Sequence, residues 1–267
     1  MKKKLFNTIN LLFRHLGFQI SPLTSRQDLK SFFKNLMPVT TNHKLIRIGE
    51  DDGGYLIPDD LTEISACFSP GVSSVADFEN ELSKTGIKCF LADYSVEQAP
   101  INNDLFSFSK KFIGNRNDEV FITLKKWIEN NIPGNRSDLI LQMDIESAEY
   151  DVILETSEDT LNQFRIIVIE FHNLHNFLLD RFAFKTIDNT FKKLLQNFSI
   201  VHLHPNNYFL PVKYLGFEIP PILEITFLRK DRIKYSFPAI EFPHRLDRKN
   251  TNRNKDFVLP KCWFSMD

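Results

Sequence analysis

The stretch LILQMDIESAEYDVILET, residues 139–156, changes character twice. An apolar run reads as a strand over 139–144, a polar turn carrying Asp144, Glu146 and Ser147 interrupts it, and helical spacing holds over 148–156. A run that is apolar at successive positions is buried on both faces, which is the habit of parallel strands. Three carboxylates, Asp144, Glu146 and Glu149, thus gather where a buried strand ends. Plain solvation is one reading, since strand ends meet water and first helical turns favour acids. Ligand binding is the other, because open α/β sheets bind ligands outside the carboxyl ends of their strands.

Working outward, the same alternation recurs. Strands are expected at 64–69, 87–93, 110–114 and 164–171, then at 199–204 and 222–228. Helices are expected at 75–86, closed by Gly86, at 120–132 and at 182–198. Strands alternating with helices predict a mostly parallel sheet with helices on both faces. Only a short proline-bearing segment joins the last two strands, so the final strand is read as antiparallel. Five parallel strands, a sixth and an antiparallel seventh make up the Rossmann-like sheet of class I S-adenosylmethionine (SAM) methyltransferases.

The expected division is an N-terminal helical extension over 1–44, the sheet domain over 45–230, and a polar C-terminal tail over 231–267 that wraps the periphery. Near the start, Leu5, Ile9, Leu12, Phe13 and Leu16 recur at helical spacing. Docking on the protein's own core or on a partner subunit is favoured for that helix over peripheral membrane contact through residues 1–20. No stretch reaches the ~18 apolar residues of a membrane span.

The 33 basic and 34 acidic side chains nearly cancel, leaving a formal charge of −1 and no field suited to nucleic acid. Cys67, Cys89 and Cys262 are odd in number and far apart, which fits free thiols and a cytoplasmic setting.

Chemistry-bearing residues collect at the expected strand ends. Ser69, Pro70 and Gly71 form the first turn, and Glu79 follows in the first helix; Asp93, with its neighbour Tyr94, ends the second strand. Asp93 stands near the ~20-residue separation from the turn glycine at which a carboxylate reaches a ribose hydroxyl pair. A single glycine in this turn disfavours the pyrophosphate of NAD or FAD, and no Walker A pattern is present. Asp144 and Glu146 end the fourth strand, Glu170 and His172 the fifth.

DIESAEYDVI resembles the D-I-E-G-x-E motif of FkbM-type SAM-dependent methyltransferases. The likeness extends to RIGEDDGGYLIPDDL (47–61), CFSPGVSSVADFE (67–79), CFLADYS (89–95), IVIEFHNL (167–174), HLHPNNY (202–208) and IPPILEITF (219–227). It implies a Rossmann-like methyltransferase acting on hydroxyl oxygens of sugars or other small molecules, in surface-polysaccharide or natural-product assembly. The alternative is a non-catalytic scaffold in a polysaccharide assembly complex. Ser147 stands where the family usually has glycine; a positive φ there would strain the turn.

Of these residues, Ser69, Pro70, Gly71, Glu79, Asp93, Tyr94 and Asp144 are assigned to SAM. Asp144, Glu146, Glu170 and His172 are assigned to catalysis. A sugar hydroxyl is a weak acid and needs a base or a metal: His172 is the natural base, oriented by a carboxylate on its other nitrogen. Alternatively Asp144, Glu146 and Glu170 hold Mg²⁺. Tyr55, in a glycine-rich hairpin, is placed over the pocket or belongs to a plain hairpin, and Asn206 and Asn207 are weaker candidates that either bind sugar hydroxyls or shape their turn. His202 and His204 are given no role. The partner is a small-molecule or glycan acceptor, and a homo-oligomer is compatible with the N-terminal helix.

Overall fold

The computed structural model describes residues 2–18, 20–134 and 138–265. A seven-stranded sheet forms its centre. Numbered within that sheet, the strands are β1 Ala66–Pro70, β2 Lys88–Ala92, β3 Phe106–Ser109, β4 Leu139–Met143, β5 Phe164–Phe171, β6 Phe198–Pro205 and β7 Leu223–Arg229. Their spatial order is β6-β7-β5-β4-β1-β2-β3. Neighbours from β5 across to β3 run parallel, whereas β7 is antiparallel to both β5 and β6. This is the mostly parallel α/β arrangement with an antiparallel last strand that the sequence resemblance implied.

Strand order reverses between β1 and β4, so the chain leaves these neighbours in opposite directions and opens a crevice at their carboxyl ends. The helices are α1 Lys2–His15, α2 Arg26–Asn35, α3 Asp77–Ser83, α4 Leu124–Asn131, α5 Glu149–Glu155, α6 Glu158–Leu161, α7 Leu174–Leu179 and α8 Phe184–Asn197. Strand side chains alternate between two apolar clusters, as a two-residue period requires. Phe68, Leu141 and Ile169 enter one with Phe33, Trp127, Ile153 and Phe191 of α2, α4, α5 and α8. Cys67, Ile140 and Val168 enter the other with Phe78 and Leu82 of α3 and with Ile48, Tyr55 and Ile57 of the hairpin formed by Leu45–Ile48 and Tyr55–Pro58.

Several expectations change. The third parallel strand is Phe106–Ser109, not 110–114; Phe112–Gly114 pairs instead with Phe121–Thr123 in a separate small sheet. Strand pairing there takes the first residues expected in a 120–132 helix, and α4 begins only at Leu124, capped by the Thr123 side chain. Over its described side chains α1 does not dock on the core: Ile9, Leu12, Phe13 and Leu16 are all exposed, and Leu5 lies outside the described side chains. The tail does more than wrap the surface. Ser236–Pro238 pairs with Val39–Thr41, while Leu259 and Trp263 are buried, the indole packing edge-on against Phe33 at 4.8 Å. Cys67 and Cys89 face each other across β1 and β2 as free thiols. Among the described residues, no helix is long and apolar enough to cross a membrane.

Candidate active site at the carboxyl edge of the sheet

The turn after β1 starts at Gly71, with φ +92°. A Cβ there would lie 1.5 Å from the Asp144 carbonyl oxygen, so the glycine lets β1 and β4 end against each other. Beneath the turn Ser69 donates to Gln142 Oε1 at 2.5 Å and also contacts Glu79 Oε1. Burial pushes the Glu79 carboxyl up to about 7, with the Ser69 contact opposing that rise. The Asp93 carboxylate accepts from the backbone N–H of Ser73 at 2.9 Å and from that of Ser95 at 2.7 Å, which ties the ends of β1 and β2 together.

After β4 the chain turns sharply through Glu146 and Ser147, at φ +57° and +85°. The family-glycine position therefore does adopt the left-handed conformation, here with serine. Asn173, itself at φ +52°, donates to Ser147 Oγ at 2.6 Å. Glu149, at the start of α5, reaches back under this turn. Its Oε1 accepts from the N–H groups of Ile145 and Ser147 at 3.2 Å each, and lies 3.1 Å from His172 Nδ1.

His172 follows β5 and is 7% exposed. Its Nε2 faces Asp144 Oδ1 at 3.7 Å, Glu146 Oε2 at 3.7 Å and Glu170 Oε1 at 3.8 Å. Burial would lower the imidazole's pKa, but Glu149, Asp144 and Glu146 raise it above its ordinary value. Asp144 is pushed up to about 7, chiefly by burial, with Glu146 and Glu149 adding to the rise and His172 opposing it. Burial raises Glu170 too, reinforced by Asp144 and Glu224, while Asn206 Nδ2 donates to its Oε1 at 2.9 Å.

These groups open on one cavity of about 920 Å³. That is near the upper end of ordinary small-molecule sites and leaves room for a cofactor and an acceptor together. Gly71 and Glu79 line it, as do Asp144, Glu146, Glu170 and His172, so the fold brings all four predicted catalytic residues into contact with one space. Ser69, Pro70, Asp93 and Tyr94 lie outside that lining. Tyr55 does line it, buried, with its hydroxyl 3.5 Å from Glu170 Oε2. Asn206 lines it as well, whereas Asn207 holds the tail by donating to the Thr251 carbonyl at 2.9 Å. His202 bonds Asp247 at 2.8 Å, a structural tie.

Sequence reasoning gave no role to Glu149 or Asp52. Glu149 was visible as the last carboxylate of the acidic motif, one residue into a helix whose first turn folds back under the strand end. Asp52 lines the cavity from the glycine-rich hairpin loop.

A mostly parallel seven-stranded sheet, with its cavity at the reversal of strand order and acids at the ends of β4 and β5, is consistent with a Rossmann-like methyltransferase fold. Residues 78–202 match the family described as Methyltransferase FkbM domain, which bears out the resemblance carried by the D-I-E-x-x-E and E-F-H elements. The match runs from α3 into β6 and includes every residue of the acid–histidine cluster. No curated protein matches the chain.

Proposed function

We propose that this chain is a SAM-dependent methyltransferase that O-methylates a hydroxyl of a sugar, glycan or related small molecule. The observation that carries the reading is the single cavity whose one wall is the Gly71–Glu79 turn and helix and whose other is Asp144, Glu146, Glu170 and His172. The residues present fit the cofactor. Gly71, with Ser69 and Pro70 behind it, lines the cavity where a methionine portion would lie, and Glu79 braces the turn from inside. Asp93, beside Tyr94, keeps one acceptor position for a ribose, on Oδ2, which accepts from the Ser73 N–H; Oδ1 already accepts from both the N–H and the hydroxyl of Ser95, and each carboxylate oxygen can accept twice. Asp144 stands between the cofactor end and the acceptor end.

Bound there, SAM supplies a methyl group on a sulfonium, a good leaving group. The chain's own work is then to align a hydroxyl and take its proton. A hydroxyl aligned with that methyl group would give up its proton to the acid–histidine cluster as it is methylated, the sulfur departing as a neutral thioether. Tyr55 and Asn206 add polar contacts of the kind a polyhydroxylated acceptor uses. Polysaccharide biosynthesis in the cytoplasm suits such an acceptor, and the three free cysteines agree with that setting.

Titration calorimetry tests the cofactor. SAM and S-adenosylhomocysteine are expected to bind and NAD is not; NAD binding without SAM binding would overturn the reading. Asp93→Ala is expected to weaken SAM by ~1–3 kcal/mol through loss of charge-assisted ribose hydrogen bonds.

A further inference from the structure

We propose that Asp144, Glu170 and His172, with the exposed Glu146 as a fourth arm, form a binding site for one divalent transition-metal cation of the Mn²⁺ class. The starting point is the tautomer of His172. Its Nδ1 lies 3.1 Å from Glu149 Oε1 and 3.2 Å from the Glu170 carbonyl oxygen. Both neighbours are acceptors, so Nδ1 carries a proton, and in the neutral imidazole it is Nε2 that presents a lone pair. That lone pair faces carboxylate oxygens of Asp144, Glu146 and Glu170 at 3.7–3.8 Å, which also bear lone pairs.

A proton on Nε2 would not resolve this, because none of the three oxygens is within hydrogen-bond reach. A central cation does. Ligands held at ~2.1 Å stand roughly 3.0–3.4 Å apart in octahedral or tetrahedral geometry, so each of these separations from Nε2 would shorten by about 0.3–0.8 Å on binding.

Two further observations point to a ligand rather than to acids that merely crowd. Glu149, fully buried, leaves Oε2 without a hydrogen-bond partner, and Asp144 Oδ1, an enclosed atom on a side chain that is itself 31% exposed, has none either. Asp144, Glu149 and His172 each also offer a ligand atom within 4.8 Å of the others. The Glu149–His172 pair moreover has the form of a carboxylate that receives the distal N–H of a metal-bound imidazole, fixing its tautomer and aim. Among the described residues, no lysine or arginine pairs with Asp144, Glu146, Glu149 or Glu170, and the His172 imidazole is the basic group that stands beside all four.

The donor set decides the class. Imidazole with carboxylates suits Mn²⁺, Fe²⁺ or Zn²⁺, whereas Mg²⁺ prefers oxygen ligands alone. This departs from the sequence-level alternatives, in which His172 was the base or Mg²⁺ sat on carboxylates without it. The consequence for catalysis rests on the methyltransferase reading: a cation here would bind the acceptor hydroxyl and lower its pKa. Binding of the ion does not rest on that reading.

The test uses the full chain, stripped with chelator and desalted, and titrated with Mn²⁺ while free Mn²⁺ is followed by electron paramagnetic resonance. One equivalent per chain is expected to bind. Glu170→Gln and His172→Asn, checked for folding by circular dichroism, are expected to weaken binding at least tenfold. Glu149→Gln, which keeps the shape and alters only the orienting partner, should weaken it less. Absence of Mn²⁺ binding to the wild-type chain, or binding that both ligand variants leave unchanged, would overturn the proposal. S-adenosylhomocysteine titrated into the same samples separates the two readings. Its binding without Mn²⁺ sinks the metal site alone, and Mn²⁺ binding without it supports the site while the methyltransferase reading fails.

Discussion

The two ends of the central sheet handle buried acid in opposite ways. At the amino ends of the parallel strands, Asp60 and Asp138 meet arginines. Arg165, at the start of β5 and only 3% exposed, reaches Asp138 at 2.6 Å and Asp60 at 3.3 Å. Arg229, closing the antiparallel β7, reaches Asp138 at 2.8 Å, and Arg232 reaches Asp60 at 2.8 Å. Burial works against ionising either aspartate, yet the arginines hold both below the usual carboxylate range. At the carboxyl ends, Asp144 and Glu170 are pushed up instead, with one histidine among several carboxylates. Backbone strain follows the same divide. Ser73, Glu146, Ser147 and Asn173 adopt positive φ at the carboxyl edge, against Glu63 at the other. Neutralised acid in relaxed backbone is scaffold; crowded acid in strained backbone is what a binding site retains at a cost in stability.

The scaffold end should break hardest. Arg165→Ala strips a buried cation from two aspartates, and a loss of about 3–5 kcal/mol is expected from urea unfolding. S-adenosylhomocysteine affinity per folded molecule should stay unchanged; a variant that unfolds normally but no longer binds would place function at the wrong edge.

Acid should reveal the same network more gently. Because the folded pKa values of Asp60 and Asp138 are lowered, their stabilisation is complete above the unfolded carboxylate value of ~3.9 and is lost as pH falls through the folded values. Urea midpoints should therefore fall on acidification below about pH 4 in the wild type, and less steeply in an Asp60→Asn variant. Equal slopes would remove Asp60 from the network.

Smallest is the effect of relaxing the strained turn. Ser147→Gly frees a left-handed position and is expected to raise stability by about 0.5–1 kcal/mol, net of glycine's greater unfolded entropy and one exposed hydrogen bond. Lower thermal stability would mean that the Asn173–Ser147 contact outweighs the strain.

How far the sequence revealed this contrast depended on whether the cause was local. β5, FRIIVIEF, was legible to its last residue because a strand buried on both faces is apolar almost throughout. β3 was missed because FSFS is a half-buried edge strand; its phenylalanine–serine alternation was the available signal, overshadowed by the apolar KKFIG beside it. Asp144, Glu146, Glu170 and His172 were legible together because they end adjacent parallel strands. Glu149 was not assigned, since its role appears only when α5 folds under the strand end. Trp263 gave no sign that the polar tail would return to plug the core against Phe33, which itself stacks on Phe217, a contact set by tertiary packing alone.

The contrast between the two edges is tested most directly by pairing Asp144→Asn with Asp138→Asn and measuring, on each, thermal unfolding and transfer of labelled methyl from SAM to a panel of sugar acceptors. Asp144→Asn is expected to melt at or above the wild-type temperature while transfer falls by ~10²-fold or more. Asp138→Asn is expected to melt lower and keep wild-type transfer per folded molecule. Transfer that survives Asp144→Asn but fails in Asp138→Asn at temperatures where both are folded would contradict the assignment of function to the carboxyl edge.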